Sequence, residues 1–178
     1  MAAERAAEPV ELLSAPEIAA RVDEMARAMA PLIDEDTVCV VLLTGAMWFA
    51  ADLTRALSRL GKHPLFDALW LASYGDERRT SGQVMVRTGL QRSVEGRRVM
   101  VIDDVLDSGL SLVAARQLLL DSGAAEVRLA VFAAKPWPEA RAVSPDFIAW
   151  QAPARFLVGY GMDAAGRYRD LPYIGALD

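Results

Sequence analysis

The most constraining feature of the chain is an apolar segment that ends in acidic residues and a glycine turn. It spans Val99–Leu112, with the sequence VMVIDDVLDSGLSL. Its first four residues, Val99–Ile102, are apolar without alternation, which is typical of a parallel strand buried on both faces. Asp103 and Asp104 follow, and the turn after them leads into the apolar pattern of a helix. We therefore expect a strand, a polar loop and a helix in a parallel α/β sheet.

The loop of this unit is suited to bind a phosphate. Asp107 leads into Ser108–Ser111, a tight turn directly before the helix. At such a position free backbone N–H groups and the helix dipole both point at an anion. Neighbouring carboxylates suit the hydroxyls of a sugar or a hydrated metal ion, so the loop predicts a sugar-phosphate ligand. In a simpler interpretation the Asp and Ser side chains only cap the helix.

The same segment resembles the phosphoribosyl-pyrophosphate signature of the type I phosphoribosyltransferases. Two acidic residues and two apolar residues precede Asp-Ser-Gly-Leu-Ser, a long motif that is more specific than an isolated glycine pattern. Receiver domains also place paired Asp residues at a strand end, with a Lys-Pro later, as at Lys135–Pro136. They carry a further acidic strand end between those elements, and no such strand fits between Asp104 and Lys135.

Composition is consistent with a compact enzyme. The chain has 178 residues, 53% of them hydrophobic, enough for one domain with a substantial core. Its net charge of −5 disfavours non-specific nucleic-acid binding, which depends on Lys and Arg. The single cysteine, Cys39, lies in an apolar run and favours a reducing cytoplasm. Neither a signal pattern nor a membrane-spanning apolar run is present, so we expect a cytoplasmic protein without a membrane partner.

Strand and helix patterns alternate as in a parallel sheet flanked by helices. The first helix is predicted over Ser14–Ala30, with Ser14 and Glu17 as a capping box. A second helix is predicted over Met47–Leu60. Its inner face is predicted to carry Phe49, Leu53, Ala56 and Leu60. The other predicted strands are Val38–Thr44, Pro64–Ala72, Gln83–Thr88, Val127–Ala134, Phe147–Trp150 and Phe156–Gly159.

Later segments narrow the resemblance to the hypoxanthine-guanine phosphoribosyltransferases. The matching segments are LLTGAMWFAADLTRAL (Leu42–Leu57), SYG (Ser73–Gly75), PDFIAW (Pro145–Trp150), FLVGYGMD (Phe156–Asp163) and YRDLPYIGAL (Tyr168–Leu177). The resemblance implies the type I phosphoribosyltransferase fold, an α/β fold with a central, mostly parallel sheet flanked by helices and a small hood. Residues 1–178 would form a single domain, with the hood built from the N-terminal residues and the segment from about residue 145.

The resemblance implies a site for phosphoribosyl pyrophosphate and Mg²⁺. Asp103 and Asp104 would accept hydrogen bonds from ribose hydroxyls, directly or through Mg²⁺-bound water. Asp107 would act as the general base for the purine proton, and Arg169, the second catalytic residue, would bind the departing pyrophosphate. Further implied contacts are Ser108, Gly109, Leu110 and Ser111 with the 5′-phosphate, and Thr44 and Gly45 with the pyrophosphate.

The resemblance also implies a purine site. Lys135 would bind the exocyclic oxygen of hypoxanthine or guanine, and a snorkelling surface lysine is the alternative. Phe156 would stack on the base, unless it is an ordinary core aromatic. Leu157 would contact the base through its backbone carbonyl. Asp163 would ligate a second Mg²⁺ near the purine edge.

Some positions depart from the family pattern. Thr44 stands where the family usually has a basic residue, although the family binds pyrophosphate at this position largely through a non-proline cis peptide. Leu110 stands where a polar residue is common. Ser73 and Tyr74 are the expected loop residues of the site, and we expect the polar segment Tyr74–Thr80 to be a mobile loop that closes over it.

The implied activity is purine salvage: the phosphoribosyl group passes to hypoxanthine or guanine, giving IMP or GMP and pyrophosphate, with Mg²⁺ as cofactor. The family also implies a homodimer or homotetramer. Two alternatives remain, a xanthine-preferring transferase and a non-catalytic regulator that binds phosphoribosyl pyrophosphate. A regulator that binds nucleic acid needs a basic face, and this acidic chain does not supply one. An inactive partner subunit is disfavoured because Asp107, Lys135, Asp163 and Arg169 are all present.

Overall fold

A computed structural model describes residues 8–73 and 84–177. Its strands and helices, in chain order, are β1 (Val10–Leu13), α1 (Ala15–Met29), β2 (Val38–Leu42), α2 (Met47–Arg59), β3 (Leu65–Ser73), β4 (Val84–Thr88), β5 (Arg98–Leu106), α3 (Leu110–Asp121), β6 (Glu126–Ala134), β7 (Phe147–Gln151), β8 (Phe156–Val158) and β9 (Ile174–Leu177). A short 3₁₀ turn, Ala30–Leu32, follows α1.

The large sheet has six strands in the order β4-β3-β2-β5-β6-β7. All neighbours pair in parallel except β4, which is antiparallel to β3. Successive residues of a strand point to opposite faces, so an unbroken apolar run such as β2 can fill a core on each side. One core contains the inner faces of α1 and α2, and the other contains that of α3. The predicted central sheet flanked by helices is confirmed.

A small antiparallel sheet joins the two ends of the described chain, in the order β1-β9-β8. Its strands come from the two parts of the chain that were expected to form the hood. Its C-terminal part starts at Phe156, later than the boundary near residue 145 that the sequence suggested. The reason is that Phe147–Gln151 pairs with β6 and extends the large sheet instead.

The helix predictions hold in most details. The backbone N–H of Ser14 donates to Glu17 Oε2 at 2.8 Å, as expected of a capping box. Three of the four residues assigned to the inner face of α2, Phe49, Leu53 and Ala56, are buried. The prediction for Leu60 is wrong: it is the C-cap residue, where the chain leaves the helix, and it is 43% exposed. Leu57 fills the inner face at that end.

No helix within residues 8–73 or 84–177 combines the length and apolar character needed to cross a membrane. Cys39 is fully buried in β2, as its apolar neighbours predicted. Burial raises the pKa of its thiol to about 12, so the side chain stays protonated and acts as a small core residue.

Candidate active site

The site lies where β2, β5 and β6 end. Carboxyl ends of neighbouring parallel strands meet at one edge of a sheet, and the loops that follow them enclose a crevice there. β5 continues past the acidic pair to Leu106, because β6 lies alongside it as far as Ala134. Asp103 and Asp104 are therefore held in a strand rather than in a loop.

A cavity at this edge contains the whole acidic and glycine motif. It is lined by Leu42, Leu43, Leu71 and every residue of Asp103–Leu112. α3 begins at Leu110, and its N-cap, Gly109, has φ +83°, a left-handed conformation that favours glycine. Gly109 has no side chain with which to cap α3, and the Ser108 hydroxyl accepts the N–H of Leu110 at 3.4 Å. The N–H groups of its first turn thus point into the cavity without a capping carboxylate, as a phosphate site requires.

The acidic pair is electrostatically strained. Burial raises the pKa of Asp103, and the neighbouring charge of Asp104 raises it further. Burial also raises the pKa of Asp104, while the Arg169 guanidinium acts in the opposite direction. A cation or a set of hydroxyl donors bound between these carboxylates would relieve both effects.

Three segments meet around Asp104. The peptide bond between Leu43 and Thr44 is cis, as the family resemblance implied. A Cβ atom on Gly45 would overlap the Asp104 carboxylate, so the loop after β2 approaches that side chain as closely as only glycine permits. A Cβ on Gly161 would in turn overlap the carbonyl oxygen of Gly45. The turn before β9 is thereby packed onto the loop expected to hold pyrophosphate.

Arg169 and Asp163 form an ion pair in this turn, with 2.6 Å between Nη2 and Oδ1. Nη1 of Arg169 also donates to the carbonyl of Gly161. The other oxygen of Asp163 accepts the N–H of Gly166 at 2.7 Å. Each carboxylate oxygen keeps a lone pair, so Asp163 can still accept a further donor or contact a cation.

Asp107 and Lys135 are joined by a second ion pair, with 2.8 Å between Oδ1 and Nζ. The Lys135 side chain is only 16% exposed, so it does not snorkel to the surface as the alternative interpretation required. Asp107 does not cap α3, which rules out the purely capping interpretation of that carboxylate.

A second cavity adjoins the first at Asp107. It is also lined by Lys135, Pro136, Trp137, Ala154, Arg155 and Phe156. Phe156 is 55% exposed and belongs to neither of the two cores that the described residues form, so its ring is available to a ligand. Leu157 lies beside it in β8, with its side chain buried. Trp137 and Arg155 were not identified from the sequence, although Trp137 is only two residues beyond Lys135.

The residues fit a magnesium ion held jointly by protein and substrate. Within the described ranges, no three His, Cys, Asp or Glu side chains converge as a ready-made metal cage. Mg²⁺ usually keeps several waters and binds one or two carboxylates together with substrate phosphates. Asp103 and Asp104, with their raised pKa values, are oxygen ligands of that kind.

Part of the expected site falls outside the described residues. Ser73 is the last residue of β3 and pairs with Val84 of β4, and Leu71, two residues earlier, lines the first cavity. Tyr74 and the segment Tyr74–Thr80, expected to be a closing loop, lie outside the described ranges.

The family model and two relatives give concordant results in sequence comparison. The family model for the phosphoribosyl transferase domain matches residues 11–165. The chain is 35% identical over 167 residues to the hypoxanthine-guanine phosphoribosyltransferase of Bacillus subtilis, covering 93% of this chain and 91% of that protein. It is 34% identical over 177 residues to the protein of the same name from Mycobacterium avium, covering 94% and 84%.

Solved structures agree with the sequence comparison. The crystal structure of a hypoxanthine phosphoribosyltransferase from Staphylococcus aureus has a TM-score of 0.85 and 28% identity, covering 94% of this chain and 90% of that one. The Trypanosoma cruzi hypoxanthine phosphoribosyltransferase in complex with its product IMP has a TM-score of 0.86 and 28% identity, covering 98% and 97%.

Proposed function

Because the chain belongs to the hypoxanthine-guanine phosphoribosyltransferase family, we propose that it transfers the 5-phosphoribosyl group of phosphoribosyl pyrophosphate to hypoxanthine or guanine. The products are IMP or GMP and pyrophosphate, so the reaction is one of purine salvage. The bond between ribose C1′ and a pyrophosphate oxygen breaks, and a bond forms from an imidazole nitrogen of the base to C1′. The pyrophosphate leaves with the electron pair, and the base loses one proton.

One observation carries the proposal: Asp107 lines both cavities. The first cavity has the anion-binding start of α3 and the acidic pair, which suit a ribose 5-phosphate. The second has an exposed aromatic ring and a lysine, which suit a flat base with a carbonyl group. A carboxylate at their junction lies where the new bond between base and ribose would form.

The first cavity binds and orients the ribose 5-phosphate. N–H groups from Ser108 to Ser111 hold the phosphate, assisted by the helix dipole. Asp103 and Asp104 accept hydrogen bonds from the two ribose hydroxyls. The cis peptide at Thr44, Gly45 and Arg169 are positioned around Asp104 and would bind the pyrophosphate.

Magnesium, when bound beside Asp103 and Asp104, would offset the negative charge that develops on the departing pyrophosphate. Asp163 is the candidate ligand for a second ion. Arg169, paired with Asp163 in this structure, supplies a fixed positive charge to the same region.

The second cavity orients the base and takes its proton. Phe156 stacks on one face of the ring system. Lys135 has only donor hydrogens, so it binds a carbonyl oxygen and cannot accept from an amino group. Asp107 accepts the imidazole N–H proton as the nitrogen attacks C1′. These contacts favour 6-oxopurines over adenine.

The test is a direct assay of product formation. Purified protein is incubated with phosphoribosyl pyrophosphate, Mg²⁺ and one base at a time, and nucleotides are separated by anion-exchange chromatography. We expect IMP from hypoxanthine or GMP from guanine, each with one equivalent of pyrophosphate, and no AMP from adenine. Excess EDTA should abolish turnover, and added Mg²⁺ should restore it.

Two outcomes would contradict the proposal. XMP as the only product from a panel that includes xanthine would make the protein a xanthine transferase. Tight binding of phosphoribosyl pyrophosphate without nucleotide formation from any base would make it a non-catalytic binding protein.

A further inference from the structure

Arg141 lies in the segment between β6 and β7, outside every motif described above. Its guanidinium donates hydrogen bonds to three backbone carbonyls. Nε binds the carbonyl of Asp107 at 2.7 Å, and Nη2 binds that of Leu106 at 3.4 Å. Nη2 also donates to the carbonyl of Lys135. One side chain therefore contacts the backbone of both members of the Asp107–Lys135 ion pair.

These carbonyls lie where strand pairing stops. Leu106 and Ala134 are the last paired residues of β5 and β6. One more backbone bond follows, from the N–H of Lys135 to the carbonyl of Leu106 at 3.2 Å. Asp107 lies beyond the ladder, where regular sheet hydrogen bonding no longer determines the backbone position. The Arg141 guanidinium continues the link between the two strand ends by one more residue on each side.

The segment that carries Arg141 touches the loop at a second point. A Cβ on Gly109 would lie 2.8 Å from Cγ1 of Val143, which is buried. The guanidinium carbon of Arg141 is 6.0 Å from the centre of the Trp137 ring, within the range of a cation–π contact. The guanidinium is thus held by a ring as well as by its hydrogen-bond acceptors.

We infer that Arg141 is a positioning residue that sets the relative placement of Asp107 and Lys135. This inference rests on the proposed function, because the proposed function assigns proton transfer to Asp107 and base binding to Lys135. Arginine suits this role since its planar guanidinium presents several donors in a fixed arrangement. Lysine has the charge but not that geometry. Arg141 does not line either cavity in the described part of the chain, so its effect on turnover passes through the residues that it holds.

The expected effect is on turnover rather than on phosphate binding. A displacement of about 1 Å in a catalytic group can cost roughly 100-fold in rate. Arg141→Gln should therefore lower kcat by about 10- to 100-fold. The Kd for phosphoribosyl pyrophosphate, measured by calorimetry, should change much less, because the 5′-phosphate is held by α3. Arg141→Lys should recover part of the lost turnover.

The matched control is Arg59→Gln. Arg59, in α2, forms an exposed ion pair with Asp23 of α1 and is not among the described residues that line either cavity. Rates are expressed per folded site, and the number of folded sites is taken from the stoichiometry of phosphoribosyl pyrophosphate binding. A merely structural role for Arg141 would lower the melting temperature and the number of sites without lowering kcat per site.

A double-mutant cycle shows whether Arg141 acts through Asp107. If it does, adding Arg141→Gln to Asp107→Asn should cost at most about twofold more in kcat, because the group that it positions has already lost its function. Full multiplication of the two single losses would overturn the inference. Unchanged kcat in Arg141→Gln would overturn it as well.

Amide hydrogen exchange provides a readout that does not depend on activity. In the ligand-free protein, Arg141→Gln should speed exchange within residues 106–111, and Arg59→Gln should not. Unchanged exchange within residues 106–111 would count against the inference, even if the wild-type protein made no nucleotide. Failure of the wild-type protein to make nucleotide would count against the proposed function only. The two claims can therefore fail separately.

Discussion

The Asp107 carboxylate and the Lys135 ammonium group lie 2.8 Å apart at the ends of two adjacent parallel strands. Asp107 belongs to the acidic and glycine motif and Lys135 directly follows β6, and each lines the second cavity. The ion pair joins the phosphate-binding loop to the base-binding cavity. Changes at either residue should therefore affect how base and ribose are brought together.

Lys135→Met should weaken recognition of the base. Loss of a hydrogen bond from a charged donor costs about 1.5–3 kcal/mol, or at least about tenfold in kcat/KM for hypoxanthine. The KM for phosphoribosyl pyrophosphate should change little. Steady-state kinetics with each substrate varied in turn checks this, with Lys62→Met as control, since Lys62 donates to the Ile33 carbonyl away from the site. An unchanged kcat/KM for the base would remove Lys135 from the purine site.

Gly161→Ala should impair pyrophosphate binding through the loop that it touches. Its φ of +100° disfavours alanine, and the new methyl group would overlap the Gly45 carbonyl. The matched control is Gly96→Ala: Gly96 has a φ of +69°, but an added Cβ there would meet no atom of the described residues within 4 Å. Both variants should lose stability, by about 1–2 kcal/mol for the control. Only Gly161→Ala should raise the KM for phosphoribosyl pyrophosphate, and equal KM values in the two variants would contradict the packing argument.

The acidic pair should make the ligand-free protein less stable as the pH rises. The folded state raises the pKa of Asp103 through burial and the charge of Asp104. Between the ordinary and the raised pKa the folded chain binds more protons than the unfolded chain, so the free energy of unfolding falls with increasing pH in that window. Asp103→Asn removes the ionisable group and should raise the melting temperature at pH 8.

The rise in melting temperature caused by Asp103→Asn should become smaller as the pH falls to about 4. At that pH Asp103 is protonated in the folded state and begins to be protonated in the unfolded state. Thermal unfolding in EDTA from pH 4 to 8 measures it. Asp36→Asn is the control, because Asp36 is exposed and forms a surface ion pair with Arg97. A destabilised Asp103→Asn protein at pH 8, or a gain independent of pH, would contradict this electrostatic account.

The parts of the fold that could be predicted from the sequence are those that depend on the local pattern of apolar and polar residues. The apolar runs of β2 and β5 are visible in sequence because strands buried on both faces need no alternation. β1 and β9 were not predicted, since each has only four residues and they pair with one another across nearly the whole chain. Leu60 was misassigned because helical periodicity does not show at which residue a helix ends.

The residues of the candidate site also divide into those that the sequence could identify and those that it could not. The resemblance located Asp107 and Lys135, and the structure brings both to one junction. The contact of Gly45 with Asp104 leaves no trace in the local sequence, because it depends on how two loops pack. Arg141 could not be found either: its three acceptors are backbone carbonyls, which any residue type supplies.

The most direct test of the central claim is the turnover of Asp107→Asn. Asparagine keeps the size of the side chain but cannot take the purine proton, so kcat should fall by about 10²- to 10⁴-fold. Binding of phosphoribosyl pyrophosphate should persist, because the N–H groups at the start of α3 remain. Stability should fall only modestly, because the Asp107 side chain is half exposed and asparagine can still accept a hydrogen bond from Lys135. We predict a folded variant that binds phosphoribosyl pyrophosphate and hardly turns over; normal turnover in this variant would contradict the assignment of Asp107 as the general base.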